Sequence, residues 1–218
     1  MKCIVTAGPT YQALDEVRRL TNLSTGTLGS ELANFLSGKG HEVDLLLGYY
    51  ATYRGPQKAA RVHVFTTTAD LHRRLQEMAG AAAKAVFHAA AVSDFTFGRT
   101  WLRSAAGELK EIKSAKIATD CESVLAELVP TPKIIRDLRP WFPQACIVGG
   151  KYELEGDRRA VVTKALTQIM ECNSNACVAN GRAYGNGFGL VTPDRQCAHF
   201  EEMFKLFPAL MELAAAAP

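Results

Sequence analysis

Seven short apolar runs, separated by longer segments of helical periodicity, constrain this chain most. The runs lie at 4–5, 43–47, 62–65, 85–89, 146–148, 176–179 and 188–191. The helical patterns lie at 27–37, 69–83, 132–138, 158–170 and 201–213. Continuous apolar runs suit strands buried on both faces, and strands that alternate with helices argue for βαβ units around a parallel sheet. Right-handed crossovers then cover both faces, and ligands sit beyond the carboxyl ends of the strands. A length of 218 residues suits one such α/β domain, 1–218, and 48% apolar residues are ample for its core.

Composition narrows the function classes. The formal charge of +3 tolerates anionic ligands without indicating a nucleic-acid groove. No run approaches 18 apolar residues, so no membrane span is expected. The start, Met1-Lys2-Cys3, enters a strand with no signal-peptide pattern. Six cysteines, at 3, 121, 146, 172, 177 and 197, form no CxxC. Free thiols in a reducing cytosol are expected, hence a cytoplasmic protein. The five histidines show no ligand spacing, so no metal site is expected.

The candidate chemistry begins at Ile4-Val5. A turn, Ala7-Gly8-Pro9-Thr10, follows this strand, and a loop, Ser24-Thr25-Gly26-Thr27-Leu28-Gly29, opens the first helix. Backbone N–H groups at a helix N-terminus favour an anion such as phosphate. GxGxxG does not occur between Gly8 and Gly29, so this is not the dinucleotide fingerprint. His88-Ala89-Ala90-Ala91-Val92-Ser93-Asp94 ends the fourth strand, with small residues that permit close approach and an acid just beyond. Residues 95–122 are polar, carry Lys110, Lys113 and Lys116, and show no clear periodicity. They are expected to be irregular, with a flexible flap over about 96–121. Asn180 ends the sixth strand at the same rim.

Taken in order, these pieces resemble one family. GPT is followed by Asp15 with Val17-Arg18, then TN-x-STG-x-x-G, AAAVSDF, AKI, TPKII, VGGK and VAN. This series is similar to the phosphopantothenate–cysteine ligases, or phosphopantothenoylcysteine synthetases, of coenzyme A biosynthesis, over about residues 3–192. The resemblance implies a Rossmann-like, mostly parallel sheet with helices on both faces, and a homodimer. Because the chain begins at the ligase-like strand, it implies the stand-alone form rather than a fusion behind a flavin-containing decarboxylase. The implied reaction joins 4'-phosphopantothenate to L-cysteine through an acyl-nucleotide, with CTP or ATP as co-substrate and Mg²⁺ on the triphosphate.

By position, the resemblance assigns Gly8, Ser24, Thr25, Gly26 and Gly29 to the nucleotide phosphates. Asn22 would hold phosphopantothenate or its acyl intermediate, and Ala90, Ala91 and Asp94 would contact the pantothenate. Arg18 would reach into the neighbouring subunit's site. Lys116 would be the flap lysine, stabilising charge at the α-phosphate where water is excluded. Asn180 would lie near the nucleotide, and Lys164 falls on the helix that carries phosphate-binding lysines. The chain departs from the family at Gly150, where relatives usually have a phenylalanine packing on the base, and at Gly181, where bacterial members often have Asp. Further along the helix of Lys164 stand Gln168 and Cys172, so a second lysine is missing.

Two other readings compete. An NAD(P)-dependent oxidoreductase needs an acid at the end of the second strand, which here ends Leu47-Gly48. No Tyr-x-x-x-Lys occurs either. A non-catalytic nucleotide- or phosphometabolite-binding homologue would keep the loop but lack turnover.

Overall fold

In the computed structural model, which describes residues 1–80, 82–118 and 121–217, the chain begins with β1 (Lys2–Ala7), β2 (Tyr11–Ala13), β3 (Arg19–Thr21) and α1 (Thr27–Gly38). It continues through β4 (Glu42–Gly48), β5 (Arg61–Phe65), α2 (Thr68–Glu77), β6 (Ala85–His88), β7 (Phe95–Arg103), β8 (Leu109–Ile112) and β9 (Ser123–Pro130). Then come α3 (Ile134–Trp141), β10 (Cys146–Tyr152), α4 (Arg158–Cys172), β11 (Ala176–Asn180), β12 (Phe188–Val191), β13 (Cys197–Phe200) and α5 (Met203–Ala216). Eight strands form one sheet in the order β13-β12-β11-β10-β6-β1-β4-β5. The six from β11 to β5 are parallel, and β12 and β13 run antiparallel at one edge. The fold is therefore the Rossmann-like, mostly parallel α/β sheet that the sequence leads one to expect.

Each central strand is apolar on both sides because each side meets a helix layer. Cys3, Val5 and Ala7 of β1 join Leu32, Ala33 and Leu36 of α1 and Leu206, Phe207 and Leu210 of α5 in one core. Ile4 points the other way, into a second core with Leu71 and Leu75 of α2 and Ile134 and Leu138 of α3. α4 buries Val161, Ala165 and Ile169 against Cys177 and Ala179 of β11. With 0–3% of each of these side chains exposed, the burial of apolar surface is the main force holding the layers together.

From β1 the chain steps out to β4 and β5 on one side, then returns to β6 on the other. The crevice between the carboxyl ends of β1 and β6 is thus the topological switch point, where open α/β sheets bind ligands.

Three parts differ from the expectation. Residues 95–122, expected to be irregular, contain β7 and β8, which with β9 form a three-stranded antiparallel sheet in the order β8-β7-β9. Among the described residues no helix layer covers it, its strands are half-exposed, and a register shift between Phe97 and Thr100 interrupts their alternation. Positions 119 and 120 of the expected flap lie outside the described residues. β2, β3 and β13 are short, and β3 and β13 are mostly exposed, so no apolar run announced them. The helix expected at 69–83 ends at Glu77, and Gly80, at φ 79°, turns the chain away; position 81 lies outside the described residues.

Candidate functional site

A cleft of about 840 Å³ opens at the switch point. Its wall on one side is the loop before α1. Gly26 is the N-cap at φ 78°, a conformation suited to glycine, and no side chain caps the helix. Thr27 N–H donates to Thr25 Oγ1 at 3.2 Å, and the first helical bond runs from Ser30 N–H to Gly26 O at 3.0 Å. The N–H groups of Leu28 and Gly29 have no acceptor among the described residues. Two open donors at the positive end of a 12-residue helix form an anion site.

Close packing holds this loop in place. A Cβ on Gly26 would lie 3.2 Å from Gly8 N, and one on Gly29 would lie 2.6 Å from Ala7 Cβ. Tyr53 N–H donates to Thr25 O at 2.9 Å. Gly8 therefore lies beneath the phosphate loop as its packing partner and does not line the cleft.

The opposite wall is the end of β6. Asn22 Nδ2 donates to Ala91 O and Val92 O at 3.4 and 3.2 Å, tying the loop to that strand end. Ala90 N–H donates to Thr6 Oγ1 at 3.1 Å, and that hydroxyl lies 2.9 Å from His88 Nδ1. Burial pulls His88 down to about 4, so the ring is neutral at neutral pH. Ser93 N–H donates to Thr10 Oγ1 at 2.8 Å, and Thr131 Oγ1 donates to Ser93 O at 2.5 Å. This buried hydroxyl network sets the turn that carries Asp94. Asp94 pairs with Lys133 at the rim, where both are more than half exposed.

The cleft gathers Asn22, Ser24, Thr25, Gly26, Gly29, Ala90, Ala91, Asp94 and Asn180 from the sequence candidates. Four others, Gly8 beneath the loop and Lys164, Arg18 and Lys116, lie off its wall. Lys164 Nζ is 2.6 Å from Glu153 Oε2, and Lys151 is 3.4 Å from the other oxygen. Lys164 first, then Lys151, hold the Glu153 carboxyl below its usual range against the opposing effect of burial. Arg18 Nη2 donates to Ile117 O of the same chain at 2.7 Å. Lys116 is exposed, on the segment between β8 and β9.

Sequence reasoning gave no role to Lys133, Lys151, Tyr152 or Gln168, all of which line the cleft. The first two stand inside the stretches TPKII and VGGK, so the signal was present without the geometry. Gln168 Nε2 reaches over Gly149 to within 3.4 Å of Gly150 O. A Cβ on Gly150 would meet only His88 O, at 3.8 Å, so the wall is open there. Among the described residues, no group of three or more His, Cys, Asp or Glu could hold a metal ion. No helix among them is long and apolar enough to cross a membrane.

Residues 1–206 match the profile of the family described as DNA/pantothenate metabolism flavoprotein C-terminal domain. The chain belongs to that family. It is 31% identical over 186 residues to the coenzyme A biosynthesis bifunctional protein CoaBC of Thermococcus kodakarensis, covering 85% of this chain and 42% of that protein. It is 29% identical over 222 residues to CoaBC of Bacillus subtilis, covering 97% of this chain and 50% of that protein. The chain thus spans half the length, or less, of these curated relatives. Among solved structures, the DNA/pantothenate metabolism flavoprotein of Streptococcus pneumoniae superposes with a TM-score of 0.85 at 27% identity, covering 99% of each chain.

Proposed function

We propose that this protein is an acid–amino-acid ligase of coenzyme A biosynthesis, joining 4'-phosphopantothenate to L-cysteine at the expense of CTP or ATP. One observation carries the reading. In a member of this family, the anion site at the α1 N-terminus and the amide of Asn22 face the end of β6 across one cleft. A nucleotide's phosphates fit the first, and the acyl end of the other substrate would lie along the second.

In the first step, a carboxylate oxygen of phosphopantothenate attacks the α-phosphorus, and pyrophosphate leaves. In the second, the cysteine amine attacks the acyl carbon, nucleoside monophosphate leaves with the bonding pair, and the amine loses a proton. Ser24, Thr25, Gly26 and Gly29 hold the phosphates, aided by the helix dipole. Lys116, on the flap at about 96–121, stabilises the charge that develops at the α-phosphate. Asn22, whose Nδ2 donates to Ala91 O and Val92 O, keeps its amide oxygen as an acceptor and holds the acyl-nucleotide during the second step. Ala90, Ala91 and Asp94 border the pantothenate, Asn180 lies near the nucleotide, and Lys164 attracts its phosphates from the α4 side. The protein supplies no cluster of carboxylates for Mg²⁺ among the described residues. Bound with the triphosphate, Mg²⁺ would neutralise phosphate charge, and no step here is routed through it.

The active form in this reading is a cytoplasmic homodimer, in which Arg18, here bonded within its own chain to Ile117 O and Asp15, would have to leave them to reach the neighbouring site. The simplest arrangement is two-fold. The test is pyrophosphate release with phosphopantothenate, cysteine and each nucleoside triphosphate in turn. Release that needs both acid and nucleotide supports the reading; nucleotide binding with no release under any combination overturns it.

A further inference from the structure

We propose that Asp15 is a positioning residue for Lys116: its carboxylate sets the backbone of the flap lysine and registers it against Asn22. The proposal rests on the ligation reading only for the role given to Lys116. Asp15 sits on the turn between β2 and β3, among exposed neighbours, yet none of its side chain is exposed. Its Oδ1 accepts from Val17 N–H at 2.9 Å and Arg18 N–H at 2.7 Å, which closes the turn. Its Oδ2 accepts from Ile117 N–H at 3.1 Å, 102 positions away in sequence.

The same turn makes two more bonds to that segment. Glu16 N–H donates to Ala115 O at 2.9 Å, and Arg18 Nη2 donates to Ile117 O at 2.7 Å. Three successive peptide units, 115–116, 116–117 and 117–118, are thus each bonded to one turn. The first two flank Lys116, so fixing both fixes the φ and ψ of that residue. The Ile117 side chain is buried and seals the joint. The other end of the hairpin continues through β3 to Asn22, which is tied to Ala91 and Val92. One hairpin therefore sets the relative placement of two residues that are 94 positions apart.

The turn alone does not need the second oxygen, since Oδ1 already accepts both turn N–H groups. Burying a charged group without use for it is costly. The second oxygen is committed to the flap, and the Arg18 guanidinium, 3.5 Å from it, supplies the neighbouring positive charge.

Asp15→Asn separates the two tasks. An amide has one acceptor oxygen, which the two turn N–H groups claim, and its NH₂ then faces Ile117 N–H, donor against donor. Amide hydrogen exchange over 115–118 should rise about tenfold or more, with β1 and β6 unchanged. Turnover, read as pyrophosphate release, should fall about 10²-fold in kcat with KM for phosphopantothenate little changed, as expected for a misplaced catalytic group. In a Lys116→Gln background the same substitution should have little further effect, because both act on one interaction. Asp15→Glu, which keeps both oxygens, should retain part of the protection. Unchanged exchange in Asp15→Asn overturns the proposal, as does a full additive loss in the double variant. If Asp15→Asn does not fold, Arg18→Gln takes its place, with exchange at 115–118 again the readout. A wild-type protein without turnover would defeat the ligation reading alone, and the exchange measurement would still decide the clamp.

Discussion

Gly29→Ala tests whether the closeness of α1 to β1 holds the anion site in place. A Cβ at position 29 would lie 2.6 Å from Ala7 Cβ, 2.8 Å from Thr6 O and 3.2 Å from Ala7 Cα. Ordinary contact begins at 3.4 Å, so the helix start must retreat by roughly 0.8 Å, the difference between 3.4 and 2.6. β1 cannot give way instead, because β4 and β6 are bonded to it on either side. Overpacking of this kind costs about 1–3 kcal/mol. For a domain of this size, about 2–4 °C of Tm is lost per kcal/mol, giving a fall of roughly 2–12 °C. The retreat also carries the open N–H groups of Leu28 and Gly29 away from a bound phosphate. Losing most of one charge-assisted hydrogen bond, at about 1.4 kcal/mol, lowers nucleotide affinity about tenfold. Gly38→Ala, in the last turn of the same helix, meets nothing within 4 Å and is the control. Removing that glycine should be neutral or stabilise by up to about 1 kcal/mol. Thermal unfolding and titration calorimetry with a non-hydrolysable nucleotide measure both effects. A Gly29→Ala protein that melts and binds like the wild type would refute the reasoning.

Rapid-quench analysis should find that Lys116→Gln slows acyl-nucleotide formation by about 10²–10³-fold. Asn22→Asp should instead form the intermediate but transfer it poorly, because a carboxylate then faces an anionic species; wild-type formation in the lysine variant would reassign that residue. Burial lowers His88 from 6.5 to about 4, so the unfolded chain takes up the proton first as pH falls. Its contribution to stability is complete above about pH 6.5 and is lost towards pH 4, reaching about 2 kcal/mol by pH 5. Denaturant unfolding at pH 7 and pH 5 should therefore show a smaller loss in His88→Gln than in the wild type. Gly150→Phe should fold within about 0.5 kcal/mol of the wild type, since a Cβ there meets only His88 O at 3.8 Å. By filling the open wall it should change the ratio of ATP to CTP affinity measured by calorimetry, and an unchanged ratio would place the base elsewhere.

The parallel sheet was legible because burial on both faces leaves a mark that survives without coordinates. Ile4-Val5 and Cys146 to Val148 read as apolar runs for that reason. β7 to β9 left no such mark, since one sheet without a helix layer needs few apolar side chains. In β9, for instance, Val124, Leu125 and Leu128 remain more than a third exposed. The loop before α1 was legible because glycine and hydroxyl residues ahead of an apolar helical pattern mark a helix start. The pairing of Asp94 with Lys133, and of Arg18 with Ile117 O, was not legible. Each joins segments 39 or 99 positions apart, and only the closed fold brings them together.

The two departures from the family pattern differ in physical kind. Gly181 adopts φ 105°, and a Cβ there would lie 2.4 Å from Glu153 O and 2.8 Å from Glu153 N. The backbone itself demands glycine at 181, because Glu153 N–H is bonded to Asn180 O and Ala183 N–H to Glu153 O across the same contact. An aspartate there would require a different path between β10 and α4, so its absence reflects the local chain path rather than chemistry removed from the cleft. Gly150 has no such demand. Its φ is ordinary, its Cβ position is open, and its carbonyl already holds the Gln168 amide. A carbonyl can only accept, so Gln168 presents its nitrogen to Gly150 and its oxygen is left without a donor among the described residues. Whatever a ring at position 150 would contribute to the cleft, here the wall instead offers open volume and an amide oxygen. In the proposed ligase, nucleotide preference is therefore expected to respond to substitution at residue 150 rather than at residue 181.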